Sequence, residues 1–156
     1  MSLDTLIHRA PETLPPEASC AQAARLMRDA NVGAVVVTQG SKPLGLVTDR
    51  DLAVRVLAEG RDAGRVRLSE VMSGDPIFLS ERRGASSVIA VMRDLAIRRV
   101  MVVDDEGDLL GIVAMDDLLM SLALELGGLA EAIRKEVATP PARAARREEG
   151  KRGRVC

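Results

Sequence analysis

The stretch GLVTDRDLAVRV, residues 45–56, decides how this chain is read. A short apolar run ends at Thr48, and Asp51 follows three residues later. That spacing makes a capping box: the threonine hydroxyl accepts from the N–H of Asp51, and the carboxylate reaches back to the N–H of Thr48. The same pair also suits a site that holds a sugar hydroxyl. A second stretch, GIVAMDDLLMSL at residues 111–122, keeps the aspartate as Asp117 but has Ala114 in place of the threonine. Completing a box is therefore not the aspartate's whole purpose.

The two stretches belong to a longer internal repeat. Pro11–Thr38 matches Pro76–Val103 at a constant offset of 65, with identities at Leu14/Leu79, Met27/Met92, Arg28/Arg93, Asp29/Asp94, Val35/Val100 and Val37/Val102. One extra residue in a turn makes the offset 66, and Gly45/Gly111, Val47/Val113, Asp51/Asp117, Leu52/Leu118 and Glu59/Glu125 then coincide. Each unit reads as β-α-β-β-α. A short extended piece (12–14, 77–79) precedes a helix whose apolar residues recur at i, i+3, i+4 and i+7: Cys20, Ala23, Ala24 and Met27, then Val88, Val91, Met92 and Leu95. Two strands follow, 34–38 and 44–48 in the first unit, 100–103 and 109–114 in the second. Their apolar residues run without alternation, which predicts burial on both faces. Closing helices are predicted from about Asp49 to Glu59 and from about Met115 to Leu126. One unit alone leaves its sheet half bare, so the expected folding unit is a pair. The fold class is α/β (α+β), with unit one at 8–60, unit two at 68–126, a C-terminal helix at 127–138 with Leu129, Ile133 and Val137 on one face, and a basic tail at 139–156. A turn of helix is also predicted at 3–8.

Composition narrows the function classes. Hydrophobic residues make up 47% of the 156, with Phe78 the one aromatic, so the core is aliphatic. The net charge of −1 gives no overall pull toward nucleic acid or anionic membrane. Cys20 and Cys156 make no disulfide framework and suit a reducing compartment. No apolar run reaches a membrane span, and residues 1–12 show no secretion pattern, so a cytoplasmic protein is expected. The tail carries six basic residues against two acids, which suits a solvated end or a contact to an acidic partner.

Catalysis is poorly supplied. His8 stands alone, Cys20 falls on a helix stripe, and no metal-ligand spacing or phosphate-binding loop occurs. Ser86-Ser87 fall in a predicted first helical turn, where hydroxyls commonly cap. Asp104-Asp105-Glu106 with Asp108 reads as an acidic β-turn rather than a calcium loop. Nothing pairs a nucleophile with a base, so no enzyme is expected. What remains are the strand-to-helix junctions, at the ends of buried strands, where α/β proteins commonly bind ligands.

The unit P-x-x-L, then M-R-D, V-x-V and G-h-V-[TS]-x-x-D-L, present twice over roughly residues 8–126, resembles the CBS domain, named after cystathionine β-synthase. Two tandem copies look like a Bateman module. The resemblance implies two units packed sheet to sheet with pseudo-twofold symmetry, and two clefts binding adenine nucleotides (AMP, ADP, ATP) or S-adenosylmethionine. It also implies a homodimer, a regulated protein as partner, and no required cofactor. Carried over by position, the first cleft uses Thr48 and Asp51 toward the ribose, with Leu46, Ile77, Phe78 and Ile97 around the base. The second uses Asp117, with Ile112, Thr13, Val32 and Gly33. Arg98 and Arg99 are placed for phosphates, and because Ala114 departs from the family's Thr/Ser, the second cleft is expected to depend on them. The alternative is a ligand-free structural module that acts through dimerisation and protein contacts. Nucleic acid draws on the tail alone and lacks Trp or Tyr for stacking.

Overall fold

A computed structural model describes residues 6–74 and 76–138. The expected basic tail lies outside the described residues, as do Leu3–Thr5 of the expected N-terminal helical turn. Contacts divide the chain after Leu118 into two compact units, the second beginning at Leu119.

The first unit holds both repeats as two sheets. Strands β2 (Thr13–Leu14), β3 (Ala34–Gln39) and β4 (Lys42–Thr48) form one, in the order β2-β3-β4. The other runs β1-β7-β6-β5, from β1 (His8–Arg9), β5 (Phe78–Ser80), β6 (Arg99–Val103) and β7 (Leu109–Ala114). In each, the short first strand of the repeat pairs parallel to the next, and the hairpin pairs antiparallel. The repeat thus appears twice with the same topology. The strand β1 is an addition that the sequence concealed. His8 was expected to end a helical turn, yet His8 and Arg9 pair antiparallel with Ile112 and Gly111 of β7 and cover that strand's free edge. The preceding Leu6 and Ile7 are buried in the core of the second repeat.

Period-two geometry explains the unbroken apolar runs. In β3, Val35 and Val37 face the helix side, with Cys20, Ala23, Met27 and Val56. Val36, between them, faces the other sheet. In β6, Val100 and Val102 likewise join Val88 and Met92, while Met101 turns inward. Val36, Met101 and Ile112 form the layer between the sheets, with Leu46 and Leu109 packed on it. Val36 and Met101 are repeat equivalents, and so are Leu46 and Ile112. The layer is built from matching positions of the two repeats, each covering the face the other would leave wet.

Helix α1 (Cys20–Ala30) starts at Ser19, whose side chain and Gln22 form a reciprocal capping box, and ends on Asn31 in the left-handed conformation. Its repeat counterpart α3 (Ala85–Leu95) starts at Gly84 without a side-chain cap, so Ser86 and Ser87 do not fill the expected role. Ala85, Val88 and Met92 are buried on it, and Leu95 is half exposed. The linker at 60–67 is part of the first core, since Val66 is buried there and its carbonyl accepts from the N–H of Cys20 at 2.9 Å. A single turn of 3-10 helix follows at Leu68–Glu70.

The two hairpin tips meet. Asp108 accepts from the Ser41 hydroxyl at 2.7 Å and pairs with Lys42 at 2.6 Å, and the N–H of Leu109 donates to the Ser41 carbonyl. These partners hold the Asp108 carboxyl below the usual carboxylate range, the Lys42 hydrogen bond most and the Ser41 hydroxyl next. The acidic run 104–108 is the expected turn, closed by Gly107 at φ 81°.

Two helices differ from their expected bounds. Helix α2 is regular only over Asp49–Leu52, then widens into a π turn at Ala53–Leu57 in which the N–H of Ala58 donates to the carbonyl of Ala53. Helix α4 runs unbroken from Met115 to Ala138, although a break was expected near Gly127-Gly128. Neither glycine has a positive φ, so neither supplies the left-handed cap that would end a helix there. Beyond Leu118 the helix exposes Leu119, Leu122, Leu126, Leu129, Ile133 and Val137. No helix among the described residues is long and apolar enough to cross a membrane.

Gly45 sits where the segment at Met72–Ser73 presses closely on β4. A Cβ there would stand 3.1 Å from both the sulfur of Met72 and the backbone carbonyl oxygen of Ser73. The methionine can swing aside, but the carbonyl cannot move without the chain. Gly45→Ala is therefore expected to destabilise by about 1–3 kcal/mol as an overpacking change, read as a melting temperature lower by several degrees in circular dichroism.

Candidate functional site

The junction between β4 and α2 builds the site from its own caps. Thr48 is extended, with φ −111° and ψ 163°, and its hydroxyl oxygen accepts from the N–H of Asp51 at 3.2 Å. In return Oδ2 of Asp51 accepts from the Thr48 N–H at 2.9 Å and from its hydroxyl at 2.6 Å. The other oxygen, Oδ1, lies 3.5 Å from Arg55, one helical turn on, and Arg55 is also anchored on the carbonyl of Val71 at 2.8 Å. The capping reading is therefore correct for one carboxylate oxygen. The second faces a cationic partner at a looser distance, on a side chain that is 24% exposed.

That carboxylate opens onto a cleft of about 560 Å³. Leu46, Ile77, Ile97 and Met101 supply its apolar walls, and Thr48, Asp51 and Ser73 its polar ones. Charged side chains gather on it from both repeats: Asp49 and Arg50 from the first, Arg98, Arg99 and Asp116 from the second. The volume and the mixture of apolar walls with a few convergent polar groups suit a small organic ligand. Ser73 is fastened to β4, donating toward the Leu46 carbonyl and accepting from the Leu46 N–H at 3.2 Å.

The cleft collects Leu46, Thr48, Asp51, Ile77 and Ile97 as the sequence assigned them. Arg98 and Arg99 also line it, although their expected place was the Asp117 side. The reason is the sheet pairing: the start of β6 is brought across to the end of β4. Arg99 reaches so close to the first repeat that a Cβ on Gly33 would stand 3.1 Å from its Nη2. Gly33 thus leaves room for the guanidinium.

Phe78 departs from its expected role. It is not among the lining residues and is 39% exposed, one position beyond Ile77 and so on the opposite side of the chain. The residues assigned to a second cleft do not line this one either. Ile112 is buried between the sheets, and Val32 packs on the first core. Thr13 is exposed on β2, Ala114 pairs with Arg99, and Asp117 is exposed on the first turn of α4. Sequence reasoning missed Asp49, Arg50, Ser73, Pro76, Met101 and Asp116. One signal was available: Arg50 and Asp116 are repeat equivalents beside the two matched aspartates, with opposite charge.

Outside the cleft, Cys20 is fully buried on α1, and burial pushes its thiol pKa up, which suits an inert core residue. Among the described residues no group of three or more His, Cys, Asp or Glu side chains gathers as a metal site.

A family model for the CBS domain matches residues 3–58 and again 68–124. The chain belongs to the CBS domain family. The tandem match agrees with the two repeats seen in the fold. Among curated relatives, the CBS domain-containing protein YhcV of Bacillus subtilis is 38% identical over 109 residues, covering 70% of this chain and 76% of its own. An uncharacterised protein of Methanopyrus kandleri is 35% identical over 105 residues, 67% of this chain, of which this chain spans about half (54%). Among solved structures, a CBS domain protein of Pyrobaculum aerophilum complexed with AMP superposes with a TM-score of 0.72 at 26% identity, covering 82% of this chain and 99% of that one.

The two junctions supply a test of the cap. Thr48→Ala should cost about 1 kcal/mol through loss of the N-cap hydroxyl, and Ala114→Thr should return a similar amount at the second junction, with Asp117 completing the box. Thermal melts of the two variants should move in opposite directions by a few degrees.

Proposed function

We propose that this CBS pair is a cytoplasmic regulatory module, not an enzyme. In this reading an adenine nucleotide or S-adenosylmethionine binds in the cleft that holds Thr48 and Asp51. The observation that carries the reading is the convergence of Asp51, the apolar walls and the arginines of the second repeat on one cleft of ligand size. An ionised carboxylate accepts two hydroxyls at once, so Asp51 takes the ribose. Leu46, Ile77 and Ile97 enclose the base, and Arg99 with Arg98 lies on the phosphate side. The AMP complex of the Pyrobaculum protein supports the choice of ligand. Binding engages Asp51, and through it Arg55 and the π turn at Ala53–Leu57, which carries the exposed Leu57. That surface is one place where a second copy or a regulated protein is expected to dock, and the exposed apolar face of α4 is a separate one.

The second reading, a ligand-free dimerisation module, draws on the same exposed residues. Tight self-association in sedimentation equilibrium, with no thermal shift from any adenosine compound, would favour it.

Calorimetric titration with AMP, ATP and S-adenosylmethionine tests the leading proposal. At least one should bind below millimolar, and Asp51→Ala should weaken it about tenfold or more, as expected when hydrogen bonds to a charged acceptor are lost. An Asp51→Ala protein that binds normally but melts earlier would leave Asp51 with its cap alone.

A further inference from the structure

The cleft contains more charge than its volume requires, and the charge is balanced. Three arginines (Arg50, Arg98, Arg99) and three aspartates (Asp49, Asp51, Asp116) line it. Asp49 and the Arg99 guanidinium flank the same glycine, at 3.4 and 3.1 Å from where its Cβ would stand. Arg98 donates from Nη2 to Oδ1 of Asp116 at 3.0 Å, and that pair is 68% exposed on both sides. The formal sum of these six lining side chains is zero, so the lining itself offers an anion no surplus of positive charge, with Arg55 outside it and 3.5 Å from Asp51. The Arg98–Asp116 pair has no equivalent in the first repeat, where Gly33 and Arg50 stand at the matching positions.

We propose that Asp116 sets the phosphate number: the cleft selects nucleosides carrying one phosphate over those carrying two or three. This rests on the adenosine reading of the site and sharpens it. A monophosphate brings two negative charges and can share the arginines with their carboxylates. Each added phosphate extends along the Arg98 side and meets Asp116 as a like charge. Like charges at 4–6 Å on a partly solvated surface repel appreciably, and the repulsion scales with the ligand's charge.

Asp116 is exposed and holds no core contact, so Asp116→Asn should fold. Calorimetry with AMP, ADP and ATP in magnesium-free buffer then reads two quantities. The wild type should bind AMP more tightly than ATP by about tenfold. Asp116→Asn should raise the affinity for both, by about threefold for AMP and about tenfold for ATP, because the tetra-anion gains roughly twice the logarithm that the dianion gains. The gain should shrink at high salt. The proposal is overturned if the wild type binds ATP as tightly as AMP, or if the variant shifts both by the same factor or by none. If no adenosine nucleotide binds wild type or variant, the adenosine reading itself falls and this proposal falls with it. Binding without discrimination removes only the role of Asp116.

Discussion

Everything in this fold follows from one constraint: a repeat of this length cannot bury both faces of its own sheet. Each β-α-β-β-α unit covers the outer face of its sheet with its own helix residues, joined in the second by Leu6 and Ile7, and leaves the inner face apolar. Val36, Met101 and Ile112, with Leu46 and Leu109, close those inner faces against each other. At about 25 cal/mol per Å² of apolar surface removed from water, neither unit has a comparable substitute in solvent. The pairing has a geometric by-product. Bringing β6 across β4 sets the second repeat's arginines beside the first repeat's Thr48 and Asp51, and the cleft appears where the two units fail to fill the space between them.

Asp51 shows how a structural side chain can also face a site. A carboxylate has two oxygens. Here one is held by the N–H and hydroxyl of Thr48, which start α2, and the other looks toward Arg55 and the cleft. Because the cap already fixes the rotamer, the carboxylate does not have to be ordered when a ligand arrives, and preorganisation of this kind reduces the entropic cost of binding. In the second repeat the aspartate persists as Asp117 without the threonine, and the residue before it changes from Arg50 to Asp116. The two halves have kept their fold and diverged in the charge at their junctions.

Much of the architecture was legible in the sequence, since the offset of 65 and then 66 residues aligns β2, α1, β3, β4 and α2 with β5, α3, β6, β7 and the start of α4. The unbroken apolar runs announced strands covered on both faces, and the structure assigns their residues alternately to two cores. The strand at His8–Arg9 was hidden, because two residues carry no periodicity and their reason to be extended is the open edge of β7. The sequence predicts two helices, one ending near Leu126 and one over 127–138, but no residue between them turns left-handed and the helix runs through. At the cleft, Leu46, Thr48, Asp51, Ile77 and Ile97 were readable by position. The placement of Arg98 and Arg99 was not, because it depends on which ends of β4 and β6 meet across the pair. Asp116 was visible only as the charge-reversed partner of Arg50.

The central claim is that the Thr48–Asp51 cleft receives an adenosine ligand with its ribose on the aspartate. A crystal structure of the protein grown with saturating AMP tests it most directly. The account requires a nucleotide in this cleft, both ribose hydroxyls within hydrogen-bond distance of the Asp51 carboxylate, and the phosphate against Arg98 or Arg99. A nucleotide seated elsewhere, or an empty cleft with the Thr48–Asp51 cap undisturbed at saturating ligand, would contradict it.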